Sequence, residues 1–112
     1  MTELDQPIFT QPITASGTTV AYPVPSVVTE VLGLLVQVSA ISGATPGVTV
    51  KVQWSDDGTN FVDANPADTL PAITAQGGLA AQFAIKGVYY RLAYTLAAGT
   101  TSVSMNAYVD FP

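Results

Sequence analysis

Val48-Thr49-Val50-Lys51-Val52-Gln53-Trp54 is the stretch that decides the fold. On an extended backbone successive side chains point to opposite faces, so Val48, Val50, Val52 and Trp54 share one face and Thr49, Lys51 and Gln53 the other. This is a strand with one buried and one wet face. Trp54 falls with the valines and is assigned to the core rather than to a sugar-stacking platform. Asp56-Asp57-Gly58-Thr59-Asn60 follows as a tight turn, with Asp57-Gly58 suited to positive φ, and Phe61-Val62-Asp63 returns as a short strand.

The same alternation extends in both directions. Leu79, Ala81, Phe83 and Ile85 alternate with Ala80, Gln82, Ala84 and Lys86. Val88, Tyr90, Leu92, Tyr94 and Leu96 alternate with Tyr89, Arg91, Ala93 and Thr95. Val103, Met105, Ala107, Val109 and Phe111 alternate with Ser102, Ser104, Asn106, Tyr108 and Asp110. Upstream, Val27–Ser42 is strongly apolar; Val36, Val38 and Ala40 alternate with Gln37, Ser39 and Ile41, which favours strand, while Val28–Leu32 also admits one helical turn. Gly43–Gly47 and Ala97–Thr100 read as turns. Ala64–Gly78, with two prolines and two glycines, reads as a long loop crossing between sheets. The pattern predicts an all-β fold, a β-sandwich or jelly-roll-like domain of about seven or eight strands, with the core between Val48 and Phe111.

Residues 1–25 read differently. Pro7, Pro12, Pro23 and Pro25 exclude a helix and a central strand, yet Ile8, Phe9, Ile13, Val20, Tyr22 and Val24 are apolar. The expected organisation is an extended N-terminal arm over 1–25 and a sandwich domain over 26–112. Burial of Ile8, Phe9 and Ile13 contributes about 1.5–3 kcal/mol each. Ordering the backbone costs about 1–2 kcal/mol per residue. On that balance the arm orders only on a neighbouring subunit or another protein, and its removal through Ile13 leaves the domain near its original stability.

Composition narrows the function. The chain has 112 residues, no Cys and no His, which removes disulfides, thiolate chemistry, the usual proton shuttle and the commonest metal ligand. Charged residues make up 10 %, against about 25 % in typical soluble domains. A surface so poor in charge is weakly protected against association, so much of it is expected to be covered by other subunits. Net charge is −5, with Lys51, Lys86 and Arg91 the only cations. Three cations do not build a phosphate-tracking patch, so neither nucleic acid nor an anionic membrane is an expected partner. The acidic start lacks the layout of a signal peptide, and the apolar run Val31–Val36 is too short to span a bilayer. Synthesis in the cytoplasm is the expectation.

Asp56, Asp57, Asp63 and Asp68 are the acids a hard cation would use, but the calcium-loop spacing of alternating acids with a distal Glu is absent. Asp56 and Asp57 are read as solvating a hairpin tip, and acids in turns, kept ionised by water, do not suit a glycosidase pair. No catalytic residue, metal or cofactor is expected, and the chain is not read as an enzyme. Tyr89 and Tyr108 lie on the faces opposite the core residues of their strands, and Arg91 shares the face of Tyr89. With Ile8, Phe9 and Ile13 of the arm, these are the candidate interface residues, because Tyr is enriched where proteins meet.

Two resemblances accompany this reading. Ser55-Asp56-Asp57-Gly58-Thr59-Asn60-Phe61 resembles the Asp-box hairpin of sialidases, in which Ser and Asp side chains bond the turn backbone. The residue usual between Asp and Gly is missing and the motif occurs once, so it is fold grammar and not a site. Val-Gln-Trp-Ser-Asp-Asp-Gly-Thr-Asn-Phe at 52–61 and Lys-Gly-Val-Tyr-Tyr-Arg-Leu-Ala-Tyr at 86–94, with a Thr/Ser-rich closing strand, resemble a type of small tailed-bacteriophage structural protein. The resemblance covers about half the chain and implies a β-sandwich that decorates or cements a capsid, or sits in a tail, baseplate or fibre. It implies a virion location and the major capsid protein or other virion proteins as partners; the low charge, the apolar arm and the off-core tyrosines predict a homo-oligomer, with a trimer as the expected stoichiometry. The resemblance transfers no functional residue. A carbohydrate-binding module is the alternative from a different class.

Overall fold

The computed structural model describes residues 12–25 and 30–111. Its eight strands are β1 (Gly17–Thr18), β2 (Tyr22–Pro23), β3 (Val31–Thr45), β4 (Val48–Ser55), β5 (Val62–Thr69), β6 (Gly77–Ala84), β7 (Tyr89–Leu96) and β8 (Gly99–Asp110). They form two antiparallel sheets. One runs β1-β7-β4-β5, with β2 also on β7; the other runs β6-β3-β8. The fold is a β-sandwich.

Its centre is one long ribbon folded over on itself. Val48 faces Leu96 on β4 and β7, Thr45 faces Gly99 just past the corner, and Ile41 faces Val103 beyond it. Strands 3 and 4 are thus nearly continuous, as are strands 7 and 8, and both change sheet at the same place. Bends of this kind are how a sandwich makes its corners. Thr100 fastens this one: its Oγ1 accepts from Gly47 N at 2.9 Å and donates to Gly47 O at 3.0 Å. At Gly43, with φ at 136°, an added Cβ would collide with the Gly99 carbonyl, so the strands approach there only because no side chain intervenes.

One irregularity sets the faces. Val38 pairs with Met105 but Ala40 pairs with Ser104, leaving Ser39 as an extra residue. A one-residue bulge reverses side-chain parity. Before it Leu32, Leu34, Val36 and Val38 are buried; after it Ala40 is exposed and Ile41 turns toward the core. The expected inward position of Ala40 is corrected for this reason. The core also begins earlier than Val48, since β3 supplies four of its fully or nearly fully buried side chains.

The connection expected over Ala64–Gly78 is largely an edge partner of β4. β5 pairs Trp54 with Val62 and Gln53 with Asp63, then Val52 with Asp68 and Lys51 with Thr69. The residues between Asp63 and Asp68 swing out. Leu70 N then donates to Val50 O at 3.0 Å, and Ile73 exchanges bonds with Val48. Leu70 and Ile73 are buried. An edge strand carrying Pro66 and an excursion has no clean alternation, which is why its sequence reads as loop.

Residues 12–25 belong to the sandwich. Ile13 exchanges backbone bonds with Val103 of β8, and β1 and β2 pair with β7. Ser16 and Thr19 hydroxyls accept from the Leu96 and Leu92 amides. The segment therefore ties one edge of each sheet together. Prolines are compatible with this because an edge strand has a side that needs no donor.

Candidate interaction surfaces

The outer face of the larger sheet carries a polar ladder. Arg91 Nε donates to Gln53 Oε1 at 2.7 Å; Gln53 Nε2 donates to Asp63 Oδ1 at 2.9 Å; Lys51 Nζ donates to Asp63 Oδ2 at 2.9 Å. The register explains it: Gln53 lies between Arg91 on β7 and Asp63 on β5. The Arg91 guanidinium sits 4.5 Å from the Phe61 ring centroid, a cation–π distance. Gln53, then Lys51, hold the Asp63 carboxyl below its ordinary pKa by hydrogen bonding.

At the end of this face is the Ser55–Phe61 turn. Ser55 Oγ donates to Asp57 Oδ1 at 2.8 Å and accepts from the amides of Asp57 and Gly58. Asp57 Oδ1 accepts from the amides of Thr59 and Asn60, and Asp57 Oδ2 from Asn60 Nδ2. The Asn60 and Thr59 amides lead the bonds that depress the Asp57 pKa strongly. Gly58, at φ 79°, lies under the Tyr89 ring. The turn is thus the side-chain-to-backbone device the Asp-box resemblance implies.

Asp68, by sequence one of the candidate cation ligands, has a structural role that sequence reasoning missed. It is buried at the sheet edge, where it accepts from Trp54 Nε1 at 2.8 Å and pairs with Lys86 Nζ at 2.9 Å. Its partners are 14 and 18 residues away in sequence, so no local pattern announces it. Asp57, Asp63 and Asp68 therefore each spend their oxygens on protein donors, and among the described residues no three acidic side chains converge on one point.

The outer face of the smaller sheet holds a groove of about 500 Å³. Two rows of cross-strand neighbours build it: Ala80, Leu35 and Tyr108 in one, Gln82, Gly33 and Asp110 in the next. Gly33 has no side chain, so the second row has a notch over which the Asp110 carboxylate lies. Leu35 is 38 % exposed. Nothing in the unbroken apolar run Val31–Val36 singles out Leu35 as the outward residue; its register does.

The predicted interface residues do not assemble into one surface. Tyr89 and Arg91 are half-buried on the outer face of the larger sheet, and Tyr108 is half-buried on the outer face of the smaller one, on the opposite side of the molecule. Ile13 is only 8 % exposed and sits in this chain's own core, which removes it as a free anchor. Its backbone bonds to Val103 are the contribution that a balance of side chains alone left out. Ile8 and Phe9 lie outside the described residues.

No protein-family model matches the sequence, and no curated protein is significantly similar to it.

Proposed function

We propose that this protein is a structural subunit of a bacteriophage virion, a capsid decoration or cement protein acting as a homo-oligomer. One observation carries the reading: the two stretches that bear the resemblance form a single structural unit. Ser55 faces Tyr89, Gln53 faces Arg91, Arg91 lies on Phe61, and Lys86 pairs with Asp68 beside Trp54. The three cations each bond a side chain of this same chain. On a shell, such a subunit would bury surface across neighbouring capsid proteins, and its binding free energy would oppose rupture. Several copies held together would add avidity. Electron microscopy of virions with and without this protein, with a heat-release assay on both, tests the proposal. Extra density on the shell and a lower rupture temperature without the protein are expected; density confined to the tail would move it to a tail or fibre role.

The groove beside Tyr108 favours a second reading as a saccharide-binding module, since an aromatic ring flanked by an amide and a carboxylate suits a sugar. A glycan array with Tyr108→Ala as control separates the two.

A further inference from the structure

We propose that β6 is a homodimerisation edge, pairing antiparallel with β6 of a second copy of this chain about a two-fold axis at Ala81. The inference rests on sheet geometry and deepens only the oligomeric part of the virion reading.

The other three sheet margins are each charged and interrupted, covered, or bridged at one point. β5 carries Asp63, Pro66 and Asp68 and swings out between the acids. The outer margin of β7 is covered by β1 and β2, and Ile13 covers β8 at Val103. β6 differs. Its sequence, Gly-Gly-Leu-Ala-Ala-Gln-Phe-Ala, has no charge and no proline, and its register with β3 runs from Ala84 to Gly77 without a break. Among the described residues nothing pairs with its far margin. An unbroken, uncharged edge without proline is a template for another strand.

The inner side is open as well. Leu79, Ala81, Phe83 and Ile85 pack against the core yet stay half-exposed, because the sheet stops at β6. A strand added there would close the core along with the edge.

Three features select a second copy as that strand. First, no residue of β6 is charged, so self-pairing brings no like charges together. Second, the inward set is large, small, large. Centred on Ala81, an antiparallel pair places Leu79 against Phe83 of the second copy and Ala81 against its own counterpart, the aliphatic–aromatic pairing that stabilises sheets. Third, the backbone phase agrees. Ile85 N donates to Glu30 O at 3.1 Å, so odd-numbered amides of this strand face β3. The amides of Gly78, Ala80, Gln82 and Ala84 then face outward, and the dyad at Ala81 lets Ala80 exchange bonds with Gln82 of the second copy. The interface is isologous and would join two three-stranded sheets into one. A trimer would have to use another surface.

The chain has no cysteine, which makes cross-linking clean. At a non-hydrogen-bonded pair the Cα atoms are about 4.5 Å apart, within disulfide reach. Ala81→Cys should therefore form a covalent dimer on mild oxidation, while Ala80→Cys, facing a different residue, should not. By light scattering at about 100 μM, within the roughly μM–mM range where unpaired edges associate, the unaltered protein should have the mass of a dimer. Ala80→Pro, which deletes an outward amide, should be a folded monomer by circular dichroism. A monomeric unaltered protein, a folded Ala80→Pro variant of unchanged oligomeric mass, or Ala81→Cys that does not cross-link would each overturn the proposal. If Ala80→Pro does not fold, the pair of cysteine variants decides. Virion content plays no part in these measurements, so their failure is distinct from failure of the virion reading.

Discussion

Trp54 serves two purposes: its ring fills the core at 3 % exposure and its Nε1 satisfies the buried Asp68 carboxylate. Trp54→Ala is expected to cost about 3–5 kcal/mol in urea denaturation, the usual loss for a large buried aromatic. Trp54→Phe should fall between that variant and the natural protein, because the ring is mostly retained while the donor is lost. The inward position of Trp54 was legible from alternation alone; its bond to Asp68 was not, because periodicity reports which face a side chain takes and not what it meets there. Gly58 is a second residue whose role can be measured. Its φ of 79° is a left-handed conformation, so Gly58→Ala should destabilise by about 1 kcal/mol or slightly more. The Asp57 carboxyl titrates well below its unfolded value near pH 4. A depressed acid contributes stability that is present above its unfolded pKa and lost as pH falls toward its folded pKa. Asp57→Asn should therefore flatten the acid limb of a melting-temperature curve below about pH 4.

At the scale of elements, the bulge at Ser39 and the segment 12–25 are the two features that decide packing. Ser39 Oγ donates to Ser104 O at 3.1 Å from an exposed position. Ser39→Ala should thus cost at most about 1 kcal/mol. Deleting Ser39 should also be tolerated, because Val38, Ala40 and Ile41 then alternate regularly opposite Met105, Ser104 and Val103 and both halves of β3 keep their core face. Thermal unfolding of the two variants makes the comparison. Ile13→Ala is expected to cost about 2 kcal/mol or more as a buried-side-chain truncation. Truncation through Ile13 should lower the melting temperature too, opposite to what the proline-rich sequence suggests. The prolines correctly excluded a central strand, but edge pairing through Thr18, Tyr22 and Val24 leaves no hydrophobic period to read. β5 was obscured for the same reason, whereas β4, β7 and β8, each with one face on the core, were legible nearly to their ends.

For the whole molecule, the two sheets meet in a core where Tyr90 stacks on Tyr22 at 5.4 Å and meets the edge of Phe111 at 5.7 Å. Burial, then the neighbouring Tyr22, pushes the Tyr90 hydroxyl up from its ordinary value. An acid with a raised folded pKa contributes stability that is intact below its unfolded pKa, about 10, and lost as pH rises beyond it. Alkaline unfolding above about pH 10 is expected, and Tyr90→Phe should shift it to higher pH. The sheet order itself had no signature in the sequence, because alternation shows that a strand has a buried face without saying which strand lies beside it.

The folded-over ribbon also dictates an order of events in the cell. β3 lies between β6 and β8, and β8 is the last of the eight strands in chain order. Most of the ladder on which the core depends therefore joins residues synthesised far apart, a topology that folds slowly. Until β8 emerges, Val31–Thr45 waits with one margin unpaired, 15 residues without a single charge. Such a segment is prone to associate with its own kind during that delay. Refolding yield should consequently fall as protein concentration rises, and slower synthesis at low temperature should recover soluble material.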